Sequence, residues 1–259
     1  MKHDYVIRMN ERYIIPNLKN ACRVLKALSR EEKGFSLSEL SRNLEIPRTT
    51  ALRILATLEH EGFVHREDST FTLGNSLINV GLKALAKINI RTIAVPILHD
   101  LANETGETAH LVILSDDRAL ILEVCDSPHP LRVASRPGTL TLLHCSGAGK
   151  VLMAHCLSNR LNEIFKDGKM EKQTSKTITS IAALKNELEK VRTQGYGLDD
   201  EEYFEGIRCL AAPTWNNRHE VVAAIGITGT TTRFTPEKIE PFSRIVINAA
   251  SKVSSQLGQ

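Results

Sequence analysis

From Ser36 to Leu73 the spacing of apolar residues changes twice, and each change marks a new element. Leu37, Leu40 and Leu44 recur at i, i+3 and i+7, the stripe of a short amphipathic helix. Ser36-Leu37-Ser38-Glu39 opens it as a capping box: the Ser36 hydroxyl accepts from the Glu39 N–H, and the Glu39 carboxylate accepts from the Ser36 N–H. Glu45-Ile46-Pro47 interrupts the stripe, and Pro47 is expected as the first residue of a second helix that runs to Glu61 and stops at Gly62. On that helix Ala51, Ile54, Leu55 and Leu58 share one side. Thr49, Leu52, Arg53 and Ala56 share the other, with Arg48 at the exposed start. The spacing then becomes strand-like. Residues 63–66 and 71–73 flank the polar turn 67–70, the pattern of a β-hairpin. Two helices on a tight turn, the second with arginine and small polar residues outward, followed by a hairpin, make a winged helix-turn-helix that places its second helix in a major groove.

The flanking pattern extends this picture. Residues 17–29 predict an amphipathic helix, with Leu18, Ala21, Val24, Leu25 and Leu28 packed behind the second helix. Residues 1–15 show no periodicity and read as a loose arm. Residues 75–89 predict a helix that is apolar nearly all round, which requires cover from a second domain or a second subunit; a groove reader of this size favours the subunit. Residues 93–105 predict a helix with Pro96 in its first turn. Strand-like runs follow at 108–115, 120–125 and 131–134, helices at 146–156, 158–166 and 181–194, and strands again at 207–215 and 221–228. A last helix is expected from Thr235, its N-cap, towards Gln256. This order predicts an α+β fold class. The expected domains are a winged helix-turn-helix over 14–74, a linker and dimerisation helix over 75–90, and an α+β domain over 91–259.

Composition sharpens the division. Residues 1–90 carry 14 Lys and Arg against 10 Asp and Glu, and residues 91–259 carry 19 against 20, so the positive end is the one with the winged helix. No apolar run is long enough to span a bilayer and the start is not signal-like, which predicts a cytoplasmic protein with no membrane partner. Five cysteines (Cys22, Cys125, Cys145, Cys156 and Cys209) are odd in number and lack CxxC spacing, against a disulfide frame or a structural zinc site.

Four phrases carry a resemblance in register: Glu104-Thr105-Gly106-Glu107-Thr108-Ala109-His110-Leu111, His144-Cys145-Ser146-Gly147-Ala148-Gly149-Lys150, Gly195-Tyr196-Gly197-Leu198-Asp199-Asp200-Glu201-Glu202, and Gly206-Ile207-Arg208-Cys209-Leu210-Ala211-Ala212-Pro213. Behind a winged helix, they resemble the IclR family of bacterial transcriptional regulators, from about Leu18 to the last helix. The resemblance implies a GAF-like effector-binding domain, a homodimer or homotetramer, and a repressor of a catabolic operon. It implies effector contacts at Thr141, Gly147, Ala148, Asp199, Cys209, Gly226 and Thr228. Gly226 stands where relatives often have serine, which is expected to leave more room for ligand. Leu52 stands where relatives often have a polar or aromatic residue, so base preference cannot be carried over.

The chemical motifs are weighed on their own spacing. Ser146-Gly147-Ala148-Gly149-Lys150 lacks the earlier glycine and the following Ser or Thr of a phosphate loop. Its surviving content is a small-residue helix start whose free N–H groups on Gly147, Ala148 and Gly149 suit a carboxylate. Asp199-Asp200-Glu201-Glu202 has no His or Cys at ligand spacing, and only Asp199 is assigned to the effector. Cys209 in an apolar strand reads as a small buried residue, and His144-Cys145 with His155-Cys156 fit no metal spacing. No metal, cofactor or catalytic residue is assigned. The candidates facing double-stranded operator DNA are Ser38, Arg48, Thr49, Thr50, Leu52, Arg53 and Arg66. The expected function is a DNA-binding regulator controlled by a small organic or sugar acid. The alternative is a small-molecule enzyme using the winged helix as an interaction module.

Overall fold

The computed structural model describes residues 13–31, 33–86, 89–166 and 170–258, in two compact units divided between residues 87 and 88. The arm expected over residues 1–15 falls mostly outside the described residues, as do Ile88 and the side chains of Ala84 and Leu85 in the expected linker helix.

The first unit runs α1 (Pro16–Leu28), β1 (Phe35–Ser36), α2 (Leu37–Asn43), α3 (Arg48–His60), β2 (Val64–Glu67), β3 (Thr70–Leu73) and α4 (Ser76–Ala86). The capping box closes α2: the Glu39 N–H donates to Ser36 Oγ at 3.3 Å, and the Ser36 N–H donates to Glu39 Oε2 at 2.8 Å. Pro47 corrects the expectation. It precedes α3 as its N-cap, in extended backbone (ψ 134°), with its carbonyl accepting from the Ala51 N–H at 2.9 Å. An N-cap needs only a carbonyl there, which proline has. The hairpin pairs Val64 with Leu73 and Glu67 with Thr70 across a turn in which Asp68 takes φ +53°, a conformation aspartate tolerates. The two-residue β1 joins β3 and is too short to leave a periodic signal. Val24 and Leu28 of α1, Leu40 of α2, Ala51, Ile54 and Leu55 of α3, and Val64 and Phe71 of the hairpin form one core.

The second unit runs α5 (Asn89–Thr105), β4 (Thr108–Ser115), β5 (Arg118–Cys125), β6 (Leu140–Thr141), α6 (Gly147–Leu152), α7 (Leu161–Ile164), α8 (Ile181–Gln194), β7 (Gly197–Asp200), β8 (Ile207–Trp215), β9 (Val221–Thr230) and α9 (Ile239–Leu257). Its six strands form one antiparallel sheet ordered β6-β5-β4-β9-β8-β7. Ala211 and Ala224 on one face pack with Ala148, Val151 and Leu152 of α6 and Leu184, Leu188 and Val191 of α8. α5 and α9 cover the sheet as well, through buried residues such as Leu98, Leu101, Val246 and Val253.

Four expectations in this unit are corrected. α5 begins four residues early, so Pro96 lies inside it; buried Ile90 supplies the packing that the extra turn needs. The run 131–134 is not a strand but part of an irregular loop: Val133 turns to a cavity and Leu131 is exposed, so neither joins the ladder. The helix expected over 146–156 stops as an α-helix at Leu152 and continues as a π-helical turn, Met153–Leu157. The helix expected over 158–166 is a 3-10 turn, Ser158–Arg160, followed by the four-residue α7. The last helix is also preceded by a 3-10 turn, Pro236–Lys238, with Thr235 before it.

Candidate functional site

α3 buries Ala51, Ile54 and Leu55 and exposes Arg48, Thr49, Leu52, Arg53 and Ala56, with Thr50 half-buried at the margin. Leu52 is 47% exposed, an apolar tip on a polar face, suited to the methyl group of thymine. Arg48 Nη1 donates to Ser38 Oγ at 3.2 Å, tying the start of α3 to exposed α2. The Arg53 side chain forms no hydrogen bond or ion pair among the described residues; it borders a cleft of about 350 Å³ between α1 and α3, beside Asn17 and Leu18. Arg66 differs: its Nε donates to the Asp68 carbonyl at 3.0 Å and its guanidinium lies 5.5 Å over the Phe71 ring. The hairpin therefore holds its own arginine.

In the second unit a cavity of about 110 Å³ opens over the sheet face that carries α6. Side chains alternate along strands, so His110 and Val112 of β4, Cys209 of β8 and Thr228 of β9 point to that face together. Ala148 of α6, Thr141 of β6, Asp199 of β7 and Tyr203 complete much of the wall. The loop between β5 and β6 contributes Val133 and Ser135. It is held by Thr108 Oγ1 donating to the Val133 carbonyl at 3.2 Å and by Arg233 Nη1 donating to the Leu131 carbonyl at 2.8 Å. Arg233 is in turn fixed by the buried carboxylate of Glu107, at 2.7 Å.

The electrostatics follow from burial. His110 is pushed down to about 4 because a charged imidazole would be stripped of water, so the ring is neutral. Its Nδ1 lies 3.5 Å from Thr228 Oγ1 and its Nε2 3.8 Å from Cys209 Sγ. The Cys209 thiol is pushed up to about 12, chiefly by burial and then by Asp199; the Thr228 hydroxyl and the N–H groups of Gly147 and Ala148 oppose the shift. Asp199 is raised to about 7 by burial, although its Oδ1 accepts N–H bonds from Glu202 at 2.7 Å and Tyr203 at 3.2 Å. A neutral imidazole, an unionised thiol and a carboxyl poised near neutrality make a binding surface. Cys209 lies beside His110, but burial holds the thiol unionised, so the pair is not an activated nucleophile.

Residues 18–68 match the IclR helix-turn-helix domain, and residues 82–255 match the bacterial transcriptional regulator IclR C-terminal domain. The chain belongs to the IclR family. The transcriptional repressor IclR of Escherichia coli strain K12 is 31% identical over 248 residues, covering 94% of this chain and 90% of its own. The HTH-type transcriptional regulator KdgR of the same organism is 33% identical over 237 residues, covering 91% and 90%. The crystal structure of Thermotoga maritima IclR matches with a TM-score of 0.67 at 32% identity, over 93% of this chain and 98% of that one. This IclR-family protein is a DNA-binding transcriptional regulator, not an enzyme. No helix among the described residues is long and apolar enough to cross a membrane. No group of three His, Cys, Asp or Glu side chains among them is placed to hold a metal.

Of the effector residues expected for this IclR-family regulator, Thr141, Ala148, Asp199, Cys209 and Thr228 line the cavity, and Gly147 and Gly226 do not. Gly147 packs α6 onto the sheet, where an added Cβ would come within 3.0 Å of the Cys209 and Gly197 carbonyl oxygens. The expected extra room at Gly226 is corrected. A Cβ there would meet the Leu210 carbonyl at 2.4 Å and the Ala211 Cβ at 2.7 Å, so this glycine serves close strand packing. The Gly149 N–H is also unavailable to ligand, because Ser146 Oγ accepts it at 3.2 Å. Asp199 sits on a short strand, not in a solvated loop. The sequence reading missed His110, Tyr203 and Ser135. Only His110 had a signal, a polar residue inside an apolar strand run.

Proposed function

We propose that this protein is a dimeric transcriptional repressor, working in the cytoplasm, whose hold on operator DNA is controlled by a short-chain hydroxy acid bound in the cavity of the second unit. The observation that carries this reading is the convergence of His110, Thr141, Asp199 and Thr228 on one cavity in the second unit of an IclR-family chain. The space, about 110 Å³, is open on one side, so a compact acid fits it without being fully enclosed. No Lys or Arg side chain lines it. The acid group would rest on the Ala148 N–H beside Cys209, and its hydroxyl would pair with Asp199 or Thr228.

An anion beside Asp199 requires that carboxyl to be protonated. Its folded pKa of about 7 lies above the ordinary value of 3.8, so the protonated form persists up to near-neutral pH. Acid affinity is therefore expected to hold steady below about pH 7 and to fall about tenfold per pH unit above it. Calorimetry with lactate and lactamide from about pH 6 to about pH 8 checks this. A flat profile for the acid, or equal affinity for its amide, would sink the anion site.

On the DNA side, Arg53→Ala is expected to lose about 1–3 kcal/mol of operator affinity and to relax preference at one base pair. Arg66→Ala should weaken all sequences alike and lower the salt slope by about one unit. Binding by fluorescence anisotropy to matched and mismatched operators at several salt concentrations separates the two.

A further inference from the structure

The chain has one tryptophan, Trp215, at the end of β8. β7 pairs with β8 only as far as Gly197 opposite Ala211, so the stretch from Ala212 to Trp215 runs on past the end of β7, where the Trp215 N–H donates to Ser254 Oγ of α9 at 2.9 Å. Pro213, which has no N–H to donate, sits on that stretch. A cleft of about 310 Å³ opens beside it, between the π-helical turn and α8 on one side and α9 on the other. It shares no lining residue with the first cavity.

Three features of this cleft are those of a ligand site. The His155 ring, carried by the π turn, meets the Trp215 ring edge-to-face with centroids 5.0 Å apart. Its Nε2 has neither a hydrogen-bond partner nor exposed surface, so the ring packs beside Trp215 as part of the aromatic wall. Arg192, in the last turn of α8, donates through Nε to the Ala154 carbonyl at 2.9 Å and through Nη1 to the exposed Glu189 at 2.5 Å. Its Nη2 has no partner among the described residues. His155 is held below its ordinary pKa, first by burial and then by Arg192, so the positive charge in the cleft belongs to the guanidinium. Opposite it, Ile247 and Ala250 of α9 form an apolar wall.

We propose that this cleft is a second ligand site which takes a planar monocarboxylate, its carboxylate on the free Nη2 of Arg192 and its plane between Trp215 and the α9 wall. With Nε and Nη1 already engaged, Nη2 is the corner of the guanidinium left to give a charge-assisted hydrogen bond to a carboxylate oxygen. The aromatic surface suits a flat body, and π-turns recur where a helix opens for function.

Trp215 makes the test local. Benzoate is titrated into the full chain while tryptophan fluorescence is followed, with benzamide as the neutral control. A saturable change with benzoate is expected, with benzamide at least tenfold weaker. Arg192→Met should weaken benzoate about tenfold, the loss of one charge-assisted hydrogen-bonded pair. Should that variant fold poorly by circular dichroism, Arg192→Lys keeps the charge without the guanidinium and should weaken binding several-fold. The proposal is overturned by an absent or non-saturable response, by benzamide matching benzoate, or by unaltered affinity in both Arg192 variants. It is equally overturned if the response survives in Arg192→Met and is lost in Ala148→Asp, which would place the probe in the first cavity.

Discussion

Lys150→Ala is expected to destabilise the second unit by about 3–5 kcal/mol, the loss that follows when one partner of a buried ion pair is removed. The Lys150 side chain is fully buried on α6. Its Nζ donates to Glu187 of α8 at 3.1 Å, to the Leu198 carbonyl of β7 at 2.7 Å, and to Glu202. Three elements thus meet on one ammonium. Glu202 is already raised above its ordinary pKa by burial, with Lys150 the largest influence holding it down. Without the lysine, Glu202 must take up a proton or stay charged and unpaired. The effect should reach the cavity over the sheet, because the Glu202 N–H donates to Asp199 Oδ1 at 2.7 Å. Urea unfolding followed through Trp215, which lies in this unit, measures the loss. Adding Glu202→Gln should restore part of it, since the orphaned charge is then gone. A loss below about 1 kcal/mol for Lys150→Ala would show that the cluster is replaceable by packing alone.

The second large effect is expected at α4. Ile78 is 60% exposed, Val80 55% and Leu82 60%, so the helix presents apolar residues in several directions within its own unit. A helix of this kind calls for cover, which the proposed dimer would supply from a partner subunit. Ile78→Glu with Leu82→Glu should halve the mass seen by light scattering. Operator affinity should fall by about a hundredfold or more, because binding two half-sites through linked readers gains roughly 10²–10⁴ over one reader. Neither substitution touches α3, so a monomer that kept full operator affinity would refute a dimeric reader. Unchanged mass would move the dimer contact elsewhere.

Much of the first unit was legible because its signals are local. A capping box needs four consecutive residues, and Ser36 and Glu39 supply both of its reciprocal bonds. The buried side of α3 follows from a 3.6-residue period, and Ala51, Ile54 and Leu55 occupy it. Pro47 slipped by one place because N-cap and first-turn positions both welcome proline and differ only in ψ. In the second unit the α8 bounds and the long strands β4, β8 and β9 left clear patterns; the two-residue β6 and four-residue β7 did not.

The sites depend on contacts that no local pattern carries. His110 and Thr228 are 118 positions apart and meet because β4 pairs with β9 in a register set by the whole sheet. Lys150 looked like a phosphate-loop lysine set in the wrong frame. Its buried place is decided by Glu187 and Glu202, 37 and 52 residues away. Gly226 looked like a vacancy for ligand, and only the strand packed against it shows that the space is already filled. Asp199 and Trp215 give the same lesson from opposite sides. The residue types announced a carboxyl and an aromatic ring, while burial set the carboxyl near neutrality and the run of β8 past the end of β7 put the ring on a cleft. Backbone periodicity and capping are short-range and can be read along the chain. Desolvation and the meeting of distant side chains exist only once the chain has closed on itself.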